Sequence, residues 1–96
     1  MELVELRKNI DKVDNQILSL FLERMELCEQ VAEYKREHAL PIFNQEREEE
    51  ILSRMEANAG NRQRDTRRLF SLVMELSRLA QREWLLSERT KKYPLN

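Results

Sequence analysis

From Leu3 to Glu37 the chain contains neither glycine nor proline and keeps apolar residues at alternating spacings of three and four, the pattern of one long α-helix with a packing seam. Leu3, Leu6, Ile10, Val13, Ile17 and Leu20 form the first part of the seam, and Leu27, Val31 and Tyr34 resume it. Arg24 falls in the gap, where a cation carries a desolvation cost, so it either sets register or awaits an anion. Such a helix is ~50 Å long, whereas a compact chain of this length has a radius of gyration of only about 12–13 Å. The helix overhangs any core that one chain can build. Its seam is therefore expected to be completed by a second copy, most simply in a two-fold dimer.

Pro41 disfavours helical geometry at Leu40, so the first helix is expected to end near His38 and an extended link to follow. Asn44 is a suitable N-cap, and Glu46, Glu48, Glu49 and Glu50 complement a helix start, which predicts a second helix from about Gln45 to Ala59, stopped by Gly60. Its inward stripe is Ile51, Leu52, Met55 and Ala59, with Glu48 one turn before on the same face. A third helix, capped by Asn61 or Asp65, is expected to reach about Glu88 with Leu69, Phe70, Val73, Leu76, Leu79, Ala80 and Trp84 inward and Ser77 and Gln81 on the shoulder. The tail from Arg89, which contains Pro94, is expected to fray and to carry no function.

With 96 residues, a net charge of −1, 36% charged residues and one glycine, the chain reads as a single soluble all-α domain spanning 1–96, with 91–96 a frayed tail. No apolar run approaches the ~18 residues of a membrane helix, and the N-terminus lacks signal-peptide order, so a cytoplasmic protein without membrane contact is expected. The lone Cys28 cannot form an intrachain disulfide and reads as a small hydrophobe. No Cys/His spacing suits a metal, and no metal or cofactor is expected. The near-zero charge argues against a surface built for nucleic acid, and Arg62, Arg64, Arg67 and Arg68, without interleaved aromatics, read as a solvated helix start.

Five polar residues remain at or beside inward positions: Arg24, Lys35, Glu48, Ser77 and Gln81. Each alone has a plain reading, as a register residue, a surface lysine, a helix-dipole partner or a flank residue. Together they suggest a small polyanion held by guanidinium and ammonium groups, its neutral polar atoms met by Glu48, Ser77 and Gln81. Arg24 and Lys35 share a helix face ~16 Å apart along the axis, so their long side chains can lean toward one ligand. Arg7 lies ~25 Å along the axis from Arg24 and reaches that ligand only from a partner chain in an antiparallel dimer. His38, the one histidine, sits at a helix C-terminus where the dipole explains it, and no nucleophile–base pair can be assembled.

The chain resembles the all-helical class of chorismate mutases over about residues 3 to 85. The resemblance is carried by Leu6-Arg7 with Ile10 and Asp14, Glu23-Arg24, Lys35, Pro41-Ile42 before Arg47-Glu48, and Arg68-Leu69-Phe70 leading to Ser77 and Gln81. It implies an intertwined helical-bundle homodimer with two pockets, each completed by Arg7 of the partner subunit. It further implies that Arg7 and Arg24 grip the two carboxylates of chorismate, and that Lys35 and Gln81 donate to the ether oxygen of the breaking bond. Glu48 would accept from the ring hydroxyl, Ser77 would touch a carboxylate, and Arg47 would support the carboxylate side and Glu48. Asn44 stands where some relatives carry an aspartate that helps to hold the hydroxyl. The implied reaction is the intramolecular rearrangement of chorismate to prephenate, which needs no base, nucleophile or cofactor. Competing readings are an isochorismate pyruvate-lyase on the same scaffold, against which Arg47-Glu48 weighs, and a non-catalytic helical dimerisation module.

Overall fold

The computed structural model describes residues 1–92, with side chains through Glu88. The expected long helix is present as α1, Leu3–Glu37, 35 residues. It ends as Pro41 requires, through a Schellman turn: Leu40 N–H donates to the Lys35 carbonyl at 2.7 Å and Ala39 N–H to the Arg36 carbonyl at 3.2 Å. Ala39 takes the left-handed conformation at φ 55°, a place where glycine avoids a cost of ~1–2 kcal/mol. The sharp reversal brings the link back along α1, and Lys35 Nζ donates to the Ile42 carbonyl at 2.5 Å.

Helix α2, Gln45–Ala57, starts at the predicted cap, where Asn44 Oδ1 accepts from Arg47 N–H at 3.0 Å. It ends two residues before Ala59 because Asn58 bonds back to the Arg54 carbonyl at 2.8 Å, taking the cap role assigned to Gly60. Gly60, at φ 59°, instead opens a 3-10 turn, Gly60–Arg62, which runs directly into α3, Gln63–Lys92. Asp65 therefore sits inside the first turn of α3, beside Arg62 at 3.3 Å, and not at its cap. Helix α3 also continues four residues beyond Glu88 to Lys92, past Arg89, from which fraying is expected. The rest of that expectation, residues 93–96, lies outside the described residues.

Both α1 and α2 pack on α3. The core is small: Ile51 and Leu52 meet Met74, with Met55 and Phe70 packed around them, and Ala32 of α1 is fully buried. The buried line of α3 is Phe70, Met74, Ser77 and Gln81, at spacings of four, three and four. This corrects the expected stripe. Leu69, Leu76 and Leu79 are exposed, along with Leu72 and Leu86, and the polar pair placed on the shoulder is 5% and 6% exposed. Leucine content misled the reading, because α3 carries two seams and the neighbouring helices cover the more polar one.

The other uncovered surface is larger. Every residue from Met1 to Leu20 is exposed, including Ile10 at 57%, Ile17 at 59% and Leu20 at 64%. The radius of gyration is 17.4 Å and the extents are 60 × 32 × 16 Å, well beyond the ~12–13 Å radius of a compact chain.

Candidate active site

The packed half of α1, the link after it, the start of α2 and the middle of α3 enclose a cavity of ≈ 230 Å³, partly open to solvent. This is just below the ~300–1,000 Å³ usual for small-molecule sites. Seven of the eight residues anticipated for binding border it: Arg24, Lys35, Asn44, Arg47, Glu48, Ser77 and Gln81. Residues 24, 28, 31 and 35 follow one α1 face, while 74, 77 and 81 follow one α3 face, so two helical stripes meet across the space. Leu27, Val31, Ile42, Ile51 and Met74 supply its apolar wall.

The eighth residue, Arg7, stands outside the cavity on the exposed N-terminal part of α1. That is where the helix length put it, ~25 Å along the axis from Arg24.

Arg24 is half-buried and donates to Ser77 Oγ at 2.5 Å, with Cys28 Sγ at 3.7 Å. The Ser77 hydroxyl donates a hydrogen bond to the Val73 carbonyl at 2.7 Å, which fixes the serine rotamer and leaves its oxygen toward the guanidinium. Lys35, also half-buried, is held by the Ile42 carbonyl. Among the described residues neither cation forms an ion pair; both are steadied by neutral acceptors, so their charge stays available to an anion. Gln81 is buried, and its Oε1 has no hydrogen-bond partner among the described residues. An orphan polar atom of this kind costs about 1–3 kcal/mol. A half-turn of the amide exchanges its donor and acceptor, so the group can present either one to the cavity.

The carboxylate side departs from expectation. Arg47 does not support Glu48: its guanidinium turns to Glu50 at 2.8 Å, an exposed pair one turn along α2. Glu48 is instead held by Arg78 of α3, Nη1 to Oε1 at 2.5 Å, and the Arg78 guanidinium carbon lies 5.4 Å from the centroid of Phe43. Arg78 was missed because an arginine beside a polar pair reads as a solvated flank residue. Its spacing held the signal, four after Met74 and three before Gln81 on the inward side of α3. Cys28, read as a small hydrophobe, is half-buried and borders the cavity.

The arginine cluster at the start of α3 is partly neutralised from within. Arg62 pairs with Asp65, and Arg67 bridges Glu56 at 2.9 Å and Glu49 at 3.1 Å. The hydrogen bond that Arg67 donates to Glu56, and then those it donates to Glu49, raise its pKa above the ordinary value. Among the described residues no group of three or more His, Cys, Asp or Glu side chains is placed to hold a metal ion, and no helix is long and apolar enough to cross a membrane.

Comparison with known proteins bears on this arrangement. The chain is 33% identical over 93 residues to the chorismate mutase of Methanocaldococcus jannaschii, covering 94% of each chain. It is 46% identical over 54 residues, 56% of its length, to the bifunctional chorismate mutase/prephenate dehydratase of Aquifex aeolicus, of which it spans 15%. It is 37% identical over 94 residues to the T-protein of Enterobacter agglomerans, covering 96% of this chain and 24% of that one. The family described as chorismate mutase type II matches residues 6–82, a span that runs from the start of the α1 seam past Gln81, and the chain belongs to that family.

Proposed function

We propose that the cavity between α1, α2 and α3 is where chorismate rearranges to prephenate, and that a two-fold dimer of this chain completes it with Arg7 of the partner subunit. The chain is a chorismate mutase, an isomerase of aromatic amino-acid biosynthesis. The reaction breaks the ether C–O bond of chorismate while a new C–C bond forms in the same molecule, so no proton or group is handed to the protein. Catalysis reduces to holding the compact conformer and stabilising charge that develops on the ether oxygen.

The observation that carries this reading is a pair of half-buried cations, Arg24 and Lys35, steadied by neutral acceptors on one cavity and facing a buried Gln81 with an orphan polar atom. Arg24 takes one carboxylate, with the Ser77 hydroxyl beside it. Arg7 of the partner subunit takes the other. Lys35 and the Gln81 amide donate to the ether oxygen, each replacing solvation that water would have to reorganise to supply. Glu48 accepts from the ring hydroxyl. Asn44 uses its carbonyl as the helix cap and has its amide hydrogens left to donate.

The dimer reading is supported by the bare α1 seam, where Leu6, Ile10, Val13, Ile17 and Leu20 are all at least 43% exposed. Covering such side chains is worth about 1.5–3 kcal/mol each, far more than a solvated helix forgoes by chance. A cytoplasmic setting goes with the single unpaired Cys28.

The test is to incubate purified protein separately with chorismate and isochorismate, identify the products, and measure the solution mass. Prephenate from chorismate at the mass of two chains is expected. Release of pyruvate from isochorismate in preference, or no turnover of either, would overturn the assignment.

A further inference from the structure

Among the described residues Glu48 is the single carboxylate bordering the cavity, and Arg78 with Phe43 behind it stands beside it. Arg78 from α3 donates to its Oε1 at 2.5 Å, with the two side chains 26% and 21% exposed. The Phe43 ring from the link lies against the same guanidinium, 5.4 Å from its carbon to the ring centroid. Two other groups on that side are engaged elsewhere: Asn44 Oδ1 caps Arg47 N–H at 3.0 Å, and the Arg47 guanidinium is drawn to Glu50 at 2.8 Å.

We propose that Arg78 is the positioning residue for recognition of the substrate hydroxyl. It fixes the Glu48 rotamer through one oxygen, and the other oxygen remains to accept the hydroxyl. The proposal rests on the cavity being the site of chorismate rearrangement. A carboxylate has about four acceptor sites, so one Arg78 hydrogen bond leaves capacity for a second donor. A glutamate has three rotatable bonds to order, and a planar guanidinium held against an aromatic face orders them before the substrate arrives. The pair also cancels its own charge. Arg78 therefore does not compete with Arg24 and Lys35 for the carboxylates, which would let the dianion bind the wrong way round.

The experiment compares kcat and KM for chorismate in the full-length wild type, Arg78→Ala, Arg78→Lys, Glu48→Gln and the Glu48→Gln/Arg78→Ala double variant. Thermal unfolding of each is recorded, and Arg78→Met replaces Arg78→Ala if that variant fails to fold. Arg78→Ala is expected to lower kcat/KM about tenfold or more, the scale of one hydrogen bond to a charged group. Arg78→Lys, which keeps charge without the fork, is expected to recover part of that loss. In the Glu48→Gln background, removing Arg78 is expected to change kcat/KM by less than ~3-fold, because its effect runs through the carboxylate. Losses that multiply in the double variant, or an Arg78→Ala protein with wild-type kcat/KM, would overturn the role of Arg78 while leaving the mutase assignment standing. A folded wild type inert toward chorismate would overturn both.

Discussion

The two halves of α1 share one periodicity and have opposite surroundings. From Leu3 to Leu20 the seam is apolar and every side chain is exposed, whereas from Phe21 onward the helix buries Ala32 and half-buries Arg24, Cys28 and Lys35. Trp84 Nε1 of α3 donates to Glu33 Oε1 at 2.8 Å and ties that second half down. The difference teaches that spacing specifies a face without specifying what covers it. The apolar half is bare, whereas the half with polar residues in its seam packs on α3 and brings Arg24, Cys28 and Lys35 to the cavity.

The largest test of this contrast is to charge the bare half. Ile10→Glu combined with Ile17→Glu is expected to abolish the dimer and all measurable mutase activity, since each dimer would bury four unpaired carboxylates at several kcal/mol apiece. Sedimentation and a chorismate assay check it; unchanged mass and rate would show that the seam has no partner.

Next in size are the cations of the covered half. Lys35→Ala and Arg24→Ala are each expected to lower kcat by ~100-fold or more, the first by removing a donor to the developing oxyanion and the second by releasing the carboxylate that holds the compact conformer. Circular dichroism distinguishes this from unfolding. Mixing Arg7→Ala protein with Arg24→Ala protein links the two halves. About a quarter of wild-type activity is expected on full exchange, because half of the dimers are hybrids and each hybrid has one intact pocket of two. No recovery despite proven exchange would break the link between them.

Gln81→Glu gives a pH-dependent version of the same site. A carboxyl donates only when protonated, so the variant is expected to be active in acid and to lose activity about tenfold per pH unit above its pKa. The wild type, whose Gln81 amide does not titrate, is expected to show no such fall across neutral pH, and matching profiles would argue against donation from Gln81.

The smallest effect belongs to packing alone. Ala32→Leu is expected to destabilise the protein by about 1–3 kcal/mol, read as a lowered unfolding midpoint in urea, because Ala32 is 0% exposed and leucine adds three carbon atoms there. The neutral alternative, an unchanged midpoint, would mean that the covered half of α1 is as loosely held as the bare one.

Much of this was legible before any coordinates. The α1 bounds, the Asn44 cap and the polar positions Arg24, Lys35, Glu48, Ser77 and Gln81 follow from spacing, caps and proline placement, with Arg7 offered from a partner chain, whereas the family resemblance added Asn44 and Arg47 to the binding set and supplied the roles. The reading failed where two faces of one helix compete. On α3 the leucines at 69, 76 and 79 outweighed Met74, Ser77 and Gln81 by hydrophobicity, yet the latter face inward. Arg78 escaped for the same reason.

What the amino-acid order determined by itself is local: which segments are helical, where they stop and which residues share a face, because these depend on interactions within a few residues along the chain. Tertiary structure alone decided which face of α3 is covered, that Arg78 and not Arg47 holds Glu48, and that Arg24 and Lys35 rest on neutral oxygens. Those outcomes join positions up to 53 residues apart, as Arg24 and Ser77 are, and burial against a neighbour overrides the hydrophobicity of a single helix.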